Sequence, residues 1–511
     1  MMSLTLEINP YLLVTSITII LVFIYRYMQE TFTILDRLGI PGPKPIWVFG
    51  NTHEFKDKNV LDVFKSWREK YGNVYGFYEG FRAGVVINDP EFARDILNKH
   101  FEKFYIRTSY RPFVYYPDDL RLISIYGEHW KHQRSVLNKM LNSTATLKQV
   151  VGKVVKSSVR MLKGLETERK LCVDGLHMSQ FIDNFVSESV ARIVLDMDAD
   201  EIDRHAAIVH RYERESMWSA AADNEISGLA RLFPSLTPLL KLGDKKFKSS
   251  HDDLVALLRV YLPKAINAQN NNKMKDEDHS SLLSYLTSSR VLSRDIDGSL
   301  MRRDLETDET IAHVLSFIGE IFTSMTASIQ FMVYELARNP ECQEELYKEV
   351  TSLFPNEEDV TMENLQYMEY FDMFFSETYR KHPIAPGVSR ICTENCRLRG
   401  VNFRQGMTVR VMTSPLYSDP KIFQHPEKFN PHRFSKEDRM SRHQYSFLPF
   451  GQGPRGCPGQ RLATMTMKIA MIYLVRRYTF STSNKTQIPL KEALRPSLCP
   501  ADGVHVNVNP R

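Results

Sequence analysis

Residues Phe447 to Arg461 read FLPFGQGPRGCPGQR and contain one cysteine, Cys457, directly before Pro-Gly. The following segment, Gln460 to Arg477, has apolar residues at helical spacing, so Cys457 lies next to a predicted helix N-terminus. Unpaired backbone N–H groups and the positive end of the helix dipole favour an anion there and lower the pKa of a thiol. The pattern therefore predicts a thiolate at Cys457.

The loop before Cys457 is rich in glycine. Gly451, Gly453 and Gly456 allow positive φ angles and let the backbone lie flat against a broad ligand. A planar macrocycle would fit such a surface, and Arg455 would place a fixed cation beside carboxylates on that ligand. On these residues alone, a buried structural cysteine after an ordinary glycine turn is the alternative.

Five residues of this loop also carry a family resemblance. They match, position by position, the haem-binding signature FxxGxRxCxG of the cytochrome P450 family. The matching residues are Phe450, Gly453, Arg455, Cys457 and Gly459. The resemblance implies haem b as the cofactor, with Cys457 as the axial thiolate ligand of its iron. It also implies a mainly α fold with small β-sheets (α+β), in which a single large haem domain follows an N-terminal membrane anchor.

The composition is that of a globular protein. Of 511 residues, 43% are hydrophobic and 25% are charged, and the formal net charge of +5 is too small to indicate nucleic-acid binding. Six scattered cysteines favour free thiols on the cytosolic side over a disulfide framework. Cys392 and Cys396 lie close together, but no second pair or histidine stands at zinc-binding spacing.

An uncharged apolar run near the N-terminus predicts a membrane segment. Residues 11–25 read YLLVTSITIILVFIY, which is short for a span of about 20 residues but compatible with a thin bilayer. A cleaved signal peptide is the alternative. No basic residue precedes the run and no small-x-small cleavage site follows it, while Arg26 and Arg37 lie on its C-terminal side. These features favour an uncleaved anchor with the rest of the chain in the cytosol.

Three segments follow from this interpretation. Residues 1–28 are the predicted membrane anchor. Residues 29–45 include LGIPGPKP, whose prolines favour an extended, semi-rigid hinge. Residues 46–511 are the predicted haem-thiolate catalytic domain, which the resemblance to microsomal members of the family places at the endoplasmic reticulum membrane.

Further motifs match positions that hold the haem in the family. Trp130 and Arg134, in EHWKHQRSVL, are one helical turn apart and share a face. The resemblance implies that both side chains reach a haem propionate and that Arg390 binds a propionate too. The surrounding PIAPGVSRICTENC is similar to the animal clan that contains drug-metabolising and thromboxane-synthase-like members.

Another pattern concerns the support of the cysteine loop. Glu377 and Arg380, in SETYRKHP, are spaced to pair on one helix face, and alone they would be an ordinary surface ion pair. The resemblance instead implies a buried triad beneath the haem loop, with Arg433 of FNPHRF as its third member.

The segment from Thr307 to about Asn339 is apolar on nearly all sides and predicts a long buried helix. By resemblance it passes over the distal haem face, where family members usually carry AGx[DE]T[T], an acid and an alcohol that supply protons. Counting back from YELA places Thr323 and Ser324 in those two positions, with Ile321 in place of the glycine. Ser324 remains a candidate proton donor, and Glu320 is the carboxylate one turn earlier.

Further segments predict local structure and carry no candidate catalytic residue. Val74–Tyr78 and Gly84–Ile87 have the pattern of two strands. The aromatic segment 103–117 predicts either core packing or substrate contact. The apolar segment 229–242 is either core or a lip that dips into the membrane. The polar segment 269–280 predicts an exposed loop.

The leading interpretation is a monooxygenase with an apolar small-molecule substrate. The resemblance implies electrons from NADPH through NADPH–cytochrome P450 reductase, with cytochrome b5 as a candidate second partner. Lys131, Lys139 and Lys468 are candidates for a basic docking face, and ordinary solvated charge is the alternative.

Two further function classes remain open. A haem-thiolate isomerase or dehydratase would rearrange a peroxide without a reductase, and the altered acid–alcohol pair favours it. A haem-binding protein without catalysis would result if Ile321 obstructed the distal pocket.

Overall fold

Helices form most of the chain, which confirms the predicted mainly α fold with small β-sheets. The computed structural model describes residues 10–55, 58–108, 112–171, 174–221, 224–272, 281–294 and 300–511. The α-helices are α1 Pro10–Phe32, α2 Ile34–Arg37, α3 Val60–Tyr71, α4 Pro90–Arg94, α5 Gly127–Asn142, α6 Thr144–Arg169, α7 Met178–Leu195, α8 Ala199–Ala220, α9 Glu225–Leu232, α10 Thr237–Leu240, α11 Lys245–Asn272, α12 Leu282–Ser288, α13 Thr307–Ser316, α14 Phe322–Arg338, α15 Pro340–Leu353, α16 Met362–Leu365, α17 Glu369–Lys381, α18 Lys436–Ser441 and α19 Gln460–Arg477.

The strands are short and form small sheets. They are β1 Val74–Glu79, β2 Arg82–Ile87, β3 Leu176–His177, β4 Arg290–Arg294, β5 Leu300–Asp304, β6 Gly387–Ile391, β7 Cys396–Leu398, β8 Val401–Phe403, β9 Thr408–Met412, β10 Tyr478–Ser481, β11 Glu492–Arg495, β12 Ser497–Pro500 and β13 His505–Pro510. The largest sheet has the order β1-β2-β9-β6, and its β1–β2 hairpin confirms the two predicted strands. In this sheet β2 pairs in parallel with β9, and β9 pairs antiparallel with β6.

The predicted central helix is confirmed and runs as α13, a π-helical turn and α14. Its side chains are buried along nearly the whole length because they are apolar on almost every side. Glu306 and Glu309 form a capping box at its start, which satisfies free N–H groups there. The π-helical turn covers Phe317–Ile321, and such turns are frequent at functional sites.

Helix α1 projects from the rest of the chain and is apolar and exposed. Leu13–Phe32 is long enough to cross a membrane, with 6% of its most apolar window buried. Its C-terminal turn is different, because Phe32 is buried with its ring 5.3 Å from that of Tyr78. The end of α1 therefore packs on the domain, and Met28 is buried there too.

The apolar segment 229–242 is largely exposed, so the core alternative is wrong for much of it. Leu239 and Leu242 are 66% and 67% exposed. Phe233 of this segment lies with its ring 6.2 Å from that of Phe81, and Phe81 also contacts Tyr27 of α1 at 6.0 Å. Phe233, Phe81 and Tyr27 thus form an aromatic row that connects segment 229–242 to the end of α1.

Two other predicted segments behave differently from expectation. In the aromatic segment 103–117, Phe104, Phe113 and Tyr115 are buried in the core, which favours the packing alternative. Tyr110 lies outside the described residues. The predicted loop 269–280 begins as helix, since α11 continues to Asn272, and residues 273–280 lie outside the described part of the chain.

The Glu377 triad is buried and fully bonded. Arg380 donates to both carboxylate oxygens of Glu377, at 2.7 and 2.8 Å, and Arg433 Nε donates to Oε1 at 3.1 Å. Their remaining guanidinium N–H groups donate to backbone carbonyls, including those of Tyr417 and Gln424. Because Glu377 is 0% exposed, its charge depends on these partners. The triad ties α17 to the segment that leads into the cysteine loop.

We predict that Glu377→Ala will destabilise the folded protein by roughly 3–5 kcal/mol, because two buried guanidinium groups lose their carboxylate. Haem content and the midpoint of chemical unfolding report this loss. Glu363→Ala is the matched control, since Glu363 pairs with Lys148 on the exposed surface at 2.8 Å and should cost less than about 1 kcal/mol. Normal haem content with lost turnover in Glu377→Ala would contradict a structural role.

Candidate functional site

The cysteine loop is a tight backbone turn at the start of α19. Cys457 N donates to Phe450 O at 2.8 Å, and Gly456 N donates to Gly453 O at 2.9 Å. Gly453 has a φ of +76°, and a Cβ there would lie 2.1 Å from Leu97 O. Glycine is therefore required at 453 by both conformation and space.

The predicted positive φ angles are confirmed for two of the three glycines. Gly451, like Gly453, has a positive φ, of +68°. Gly456 does not, and that part of the prediction is wrong. A Cβ at Gly456 would still lie 3.2 Å from Gly453 O, so close packing inside the turn favours glycine at this position as well.

A cavity of about 380 Å³ lies against this loop. Its wall is mostly apolar and combines the cysteine loop with side chains of α5, the central helix, α17, β6 and α19. Cys457 is exposed to it, and Trp130, Arg134, Phe450, Arg455 and Gly459 contribute to the wall. The structure therefore brings together the motif residues that the sequence places hundreds of positions apart.

The Cys457 thiol does not have the lowered pKa that the helix N-terminus predicts. Burial by the surrounding protein raises its pKa, although the Gly459 N–H and the charges of Arg107 and Arg134 act in the opposite direction. Desolvation thus outweighs the helix terminus in its effect on the pKa of this thiol, and the thiolate at Cys457 stays a prediction. Because a coordinated metal deprotonates a thiol outright, a thiolate at Cys457 depends on a metal ion.

A group of guanidinium groups lies at one side of the cavity. Arg455 is 3% exposed, donates to Ile125 O at 2.8 Å, and lies 4.4 Å from the Trp130 ring centroid. Arg107 donates to Arg455 O, and Arg134 lines the cavity one helical turn from Trp130. This concentrates positive charge beside the cysteine loop.

Arg390 extends this group behind the cavity wall. It is 1% exposed on β6 and donates to Ser389 O at 2.9 Å, but it is not part of the wall itself. Burial and then the charges of Arg107 and Arg455 hold the pKa of Arg390 well below its ordinary value. Its contact with a propionate stays a prediction, and its position near Arg107 and Arg455 places it in the same positively charged group.

Arg134, Arg390 and Arg455 have no carboxylate partner among the described residues, although buried cations usually have one. Burial and the neighbouring Arg107 and Arg134 lower the pKa of Arg455 to about 9. Within the described residues, no carboxylate pairs with Arg134, Arg390 or Arg455, and the Nε atom of each is buried without a partner. Uncompensated buried charge is costly, so this group requires a bound anion.

The implied haem b fits this arrangement. It is a flat apolar macrocycle with two carboxylates, and the site offers an apolar cavity, a thiol at one wall and clustered guanidinium groups at its side. Of these groups, sequence reasoning missed Arg107. It lies in the aromatic segment 103–117, where no motif marks it.

The central helix contributes polar groups to the cavity wall. Glu320, Ile321 and Ser324 all line the cavity, and Ser324 Oγ donates to Glu320 O at 2.7 Å. Thr323 is buried outside the wall and donates to Gly319 O at 3.0 Å, which differs from its predicted catalytic position. Glu320 is the one acidic side chain that the described residues place in this wall.

The predicted basic docking face is only partly present. Lys131 and Lys139 are exposed on α5, and Lys131 pairs with Glu128 at 2.7 Å. Lys468 is 5% exposed and donates to Asp372 at 3.1 Å, so its assignment to a surface is wrong.

Comparison with known proteins agrees with this geometry. The profile of the cytochrome P450 family matches residues 40–508. The chain belongs to the cytochrome P450 family. It is 30% identical to cytochrome P450 3A40 of Oryzias latipes over 505 residues, covering 98% of this chain and 96% of that one. It is 28% identical to cytochrome P450 3A28 of Bos taurus over 497 residues, covering 96% and 94%.

Membership of the cytochrome P450 family confirms the resemblance to the drug-metabolising clan. The family consists of haem-thiolate enzymes, and this chain is accordingly a cytochrome P450 monooxygenase, an oxidoreductase. The near-complete coverage of both relatives means that the likeness includes the cysteine loop, the triad and the central helix.

The position of Cys457 in this cytochrome P450 generates a spectroscopic prediction. Cys457→Ser should abolish the reduced carbon-monoxide absorption band of thiolate-ligated haem, because a serine hydroxyl does not replace the thiolate. Cys499→Ser, which changes a buried cysteine of β12 outside the cavity wall, should retain that band. A band that persists in Cys457→Ser would end the assignment of Cys457 as ligand.

Proposed function

We propose that this cytochrome P450 inserts one atom of dioxygen into an apolar organic substrate, with electrons from NADPH delivered by NADPH–cytochrome P450 reductase. The observation that carries the proposal is the convergence of the Cys457 loop and unpaired buried arginines on one largely apolar cavity. Such a cavity suits a flat cofactor with carboxylates and, beyond it, an apolar substrate.

Each motif residue has a proposed role in holding the cofactor. Cys457 would supply the axial thiolate, and Arg134, Arg455 and the Trp130 indole N–H would bind the propionates. Arg390 would reinforce the positive potential from behind the wall. The haem, when bound, supplies the redox chemistry.

The chain itself supplies positioned proton donors. Ser324 Oγ already donates to Glu320 O at 2.7 Å, so its proton can be redirected into the cavity by rotation of the hydroxyl. A hydroxyl has too high a pKa to act alone as an acid, and the Glu320 carboxyl or a water molecule would resupply its proton. The apolar side chains around both residues limit the access of bulk water.

A second candidate function is supported by the same helix. Thr323 faces away from the cavity and Ile321 occupies part of its wall, so the family's usual acid–alcohol pair is altered. This favours a haem-thiolate isomerase or dehydratase that acts on a peroxide without a reductase. The third class, haem binding without catalysis, would require that Ile321 obstructs the cavity whose wall it shares.

NADPH consumption distinguishes the three classes. The purified full-length protein, reconstituted with haem and the reductase, is incubated with panels of apolar compounds and of organic peroxides. Coupled NADPH oxidation and product formation are expected. Turnover of a peroxide in the absence of reductase and NADPH would replace the monooxygenase proposal with the isomerase, and no turnover of either kind would leave a haem-binding protein.

Ser324→Ala should uncouple the reaction, so that NADPH is consumed and hydrogen peroxide is released while product falls. General acid catalysis by a placed side chain is typically worth about 10²–10⁴-fold. Loss of the donor should therefore reduce the product yield by up to this factor. Glu320→Gln should cause a milder defect of the same kind. The ratio of product to NADPH measures both effects.

Thr323→Ala is the matched control for this prediction, because Thr323 is the adjacent alcohol and points away from the cavity. It should retain coupling. Equal uncoupling in Thr323→Ala and Ser324→Ala would show that disturbance of the helix, and not proton delivery, causes the defect.

The location proposed is the endoplasmic reticulum membrane with the catalytic domain in the cytosol. Residues 1–28 would form the anchor, 29–45 the hinge and 46–511 the catalytic domain. Exposed apolar side chains of α1 and of segment 229–242 support membrane contact, because one aromatic row connects them. Both surfaces would then meet one bilayer.

Redox partners are proposed to dock on the exposed part of α5. Lys131 and Lys139 are accessible there, and α5 also carries Trp130 and Arg134 into the cavity. An acidic surface of the reductase, or of cytochrome b5 as a second partner, would complement these lysines.

Deletion of residues 1–28 should release most of the protein from membranes and leave haem content unchanged, because α1 makes few contacts with the domain before its last turn. Sedimentation with vesicles in high salt measures the release. If the truncated chain remains fully bound, Leu239→Ser combined with Leu242→Ser tests whether segment 229–242 is the anchor instead.

A further inference from the structure

Two polar side chains of the central helix face the cavity without hydrogen-bond partners. His313 and Ser316 are one helical turn apart and both line the cavity. His313 is 1% exposed, and neither of its ring nitrogens has a partner. The Ser316 hydroxyl oxygen is also buried and unpartnered.

Ser316 differs in this respect from the hydroxyls further along the helix. Thr323, Ser324 and Ser328 each donate to the carbonyl four residues earlier, at 3.0, 2.7 and 2.7 Å. Such a bond satisfies a hydroxyl inside a helix. Ser316 makes no such bond, so its hydroxyl is available to a molecule in the cavity.

His313 is a neutral imidazole. Its burial lowers the pKa of His313 to about 4, although Glu309 four residues earlier acts in the opposite direction. The Glu309 carboxylate is held by Arg303, at 2.6 and 2.7 Å, and by His129 at 2.8 Å. A neutral imidazole offers one N–H donor and one nitrogen acceptor.

The side chains that surround His313 and Ser316 in the cavity wall are apolar. Leu122, Ile123 and Phe317 share the cavity wall with them. Burial of a polar group without a partner is unfavourable, so native structures nearly always provide one. The arginines of the cavity wall already suit the carboxylates of the haem, which leaves the substrate as the partner of His313 and Ser316.

We propose that His313 and Ser316 form a polar subsite that recognises a neutral oxygen function, a ketone or an alcohol, on an otherwise apolar substrate. A ketone oxygen accepts from the imidazole N–H or the Ser316 hydroxyl, and an alcohol can also donate to the free ring nitrogen. A carboxylate is disfavoured, because the imidazole carries no charge and the Glu309 carboxylate lies one turn away. This subsite rests on the proposed function, since it names a class of substrate for the same cavity.

Equilibrium binding of three matched compounds tests the proposal. Tetralin, 2-tetralone and tetralin-2-carboxylate share one bicyclic skeleton and differ in their oxygen function. They are titrated into the haem-loaded full-length protein by calorimetry, without NADPH or reductase. The ketone should bind about five- to tenfold more tightly than the hydrocarbon, as expected for one or two neutral hydrogen bonds, and the carboxylate should bind most weakly.

His313→Leu should remove the preference for the ketone while leaving hydrocarbon binding as tight as before, and Ser316→Ala should reduce the preference about two- to threefold. Thr326→Val is the matched control. It removes a buried hydroxyl that donates to Phe322 O at 2.8 Å outside the cavity wall, and it should keep the preference.

An unchanged ketone preference in both His313→Leu and Ser316→Ala would overturn the proposal. So would folded His313→Leu protein with reduced haem content, because His313 would then belong to the cofactor site. If His313→Leu does not fold, Ser316→Ala alone decides. Since no turnover is measured, these results stand apart from the outcome of the NADPH experiment.

Discussion

Buried positive charge without a protein counter-ion is the constraint on which the rest of the structure depends. Arg134, Arg390 and Arg455 have no carboxylate partner in the described residues, and each retains a buried Nε without a partner. Burial and, after it, the charge of neighbouring arginines lower the pKa of all three. A folded state of this kind is stable when an anion binds among the arginines, so cofactor binding and folding are thermodynamically linked.

In the Glu377 triad, by contrast, the protein itself supplies the counter-ion for the buried arginines. Its two arginines share one buried carboxylate and donate their other N–H groups to backbone carbonyls. The triad is therefore complete within the protein, and it can hold the cysteine loop in place whether or not a ligand is present. The charges of the Glu377 triad are compensated within the protein, whereas Arg134, Arg390 and Arg455 are left for a ligand to compensate.

Much of this site could be predicted from sequence because its constraints are local. The close packing of Gly456 on Gly453, the Trp130–Arg134 spacing and the bounds of α19 depend on near neighbours in the chain. Arg107 could not be predicted in this way, since its importance arises from a contact with Arg455, 348 residues away. The effect of burial on the pKa of Cys457 could not be predicted either, since the position of a thiol at a helix N-terminus does not reveal how deeply it is buried.

The errors on the central helix and α19 have physical causes too. Thr323 and Ser324 are adjacent alcohols on the same regular helix, and counting along the sequence does not reveal that only Ser324 lines the cavity. Lys468 lies on a helix that is buried on most sides, and its charge is compensated by Asp372 inside the protein. Sequence pattern indicates that a residue is helical more reliably than it indicates which way the side chain points.

The raised pKa of Cys457 has a consequence for the reactivity of its thiol. Oxidants and electrophiles attack the thiolate form of cysteine, and a protonated thiol reacts slowly with them. Burial of Cys457 therefore disfavours the form that these reagents attack, although the side chain is accessible from the cavity. A metal held by Cys457 would favour the thiolate and would also cover the sulfur.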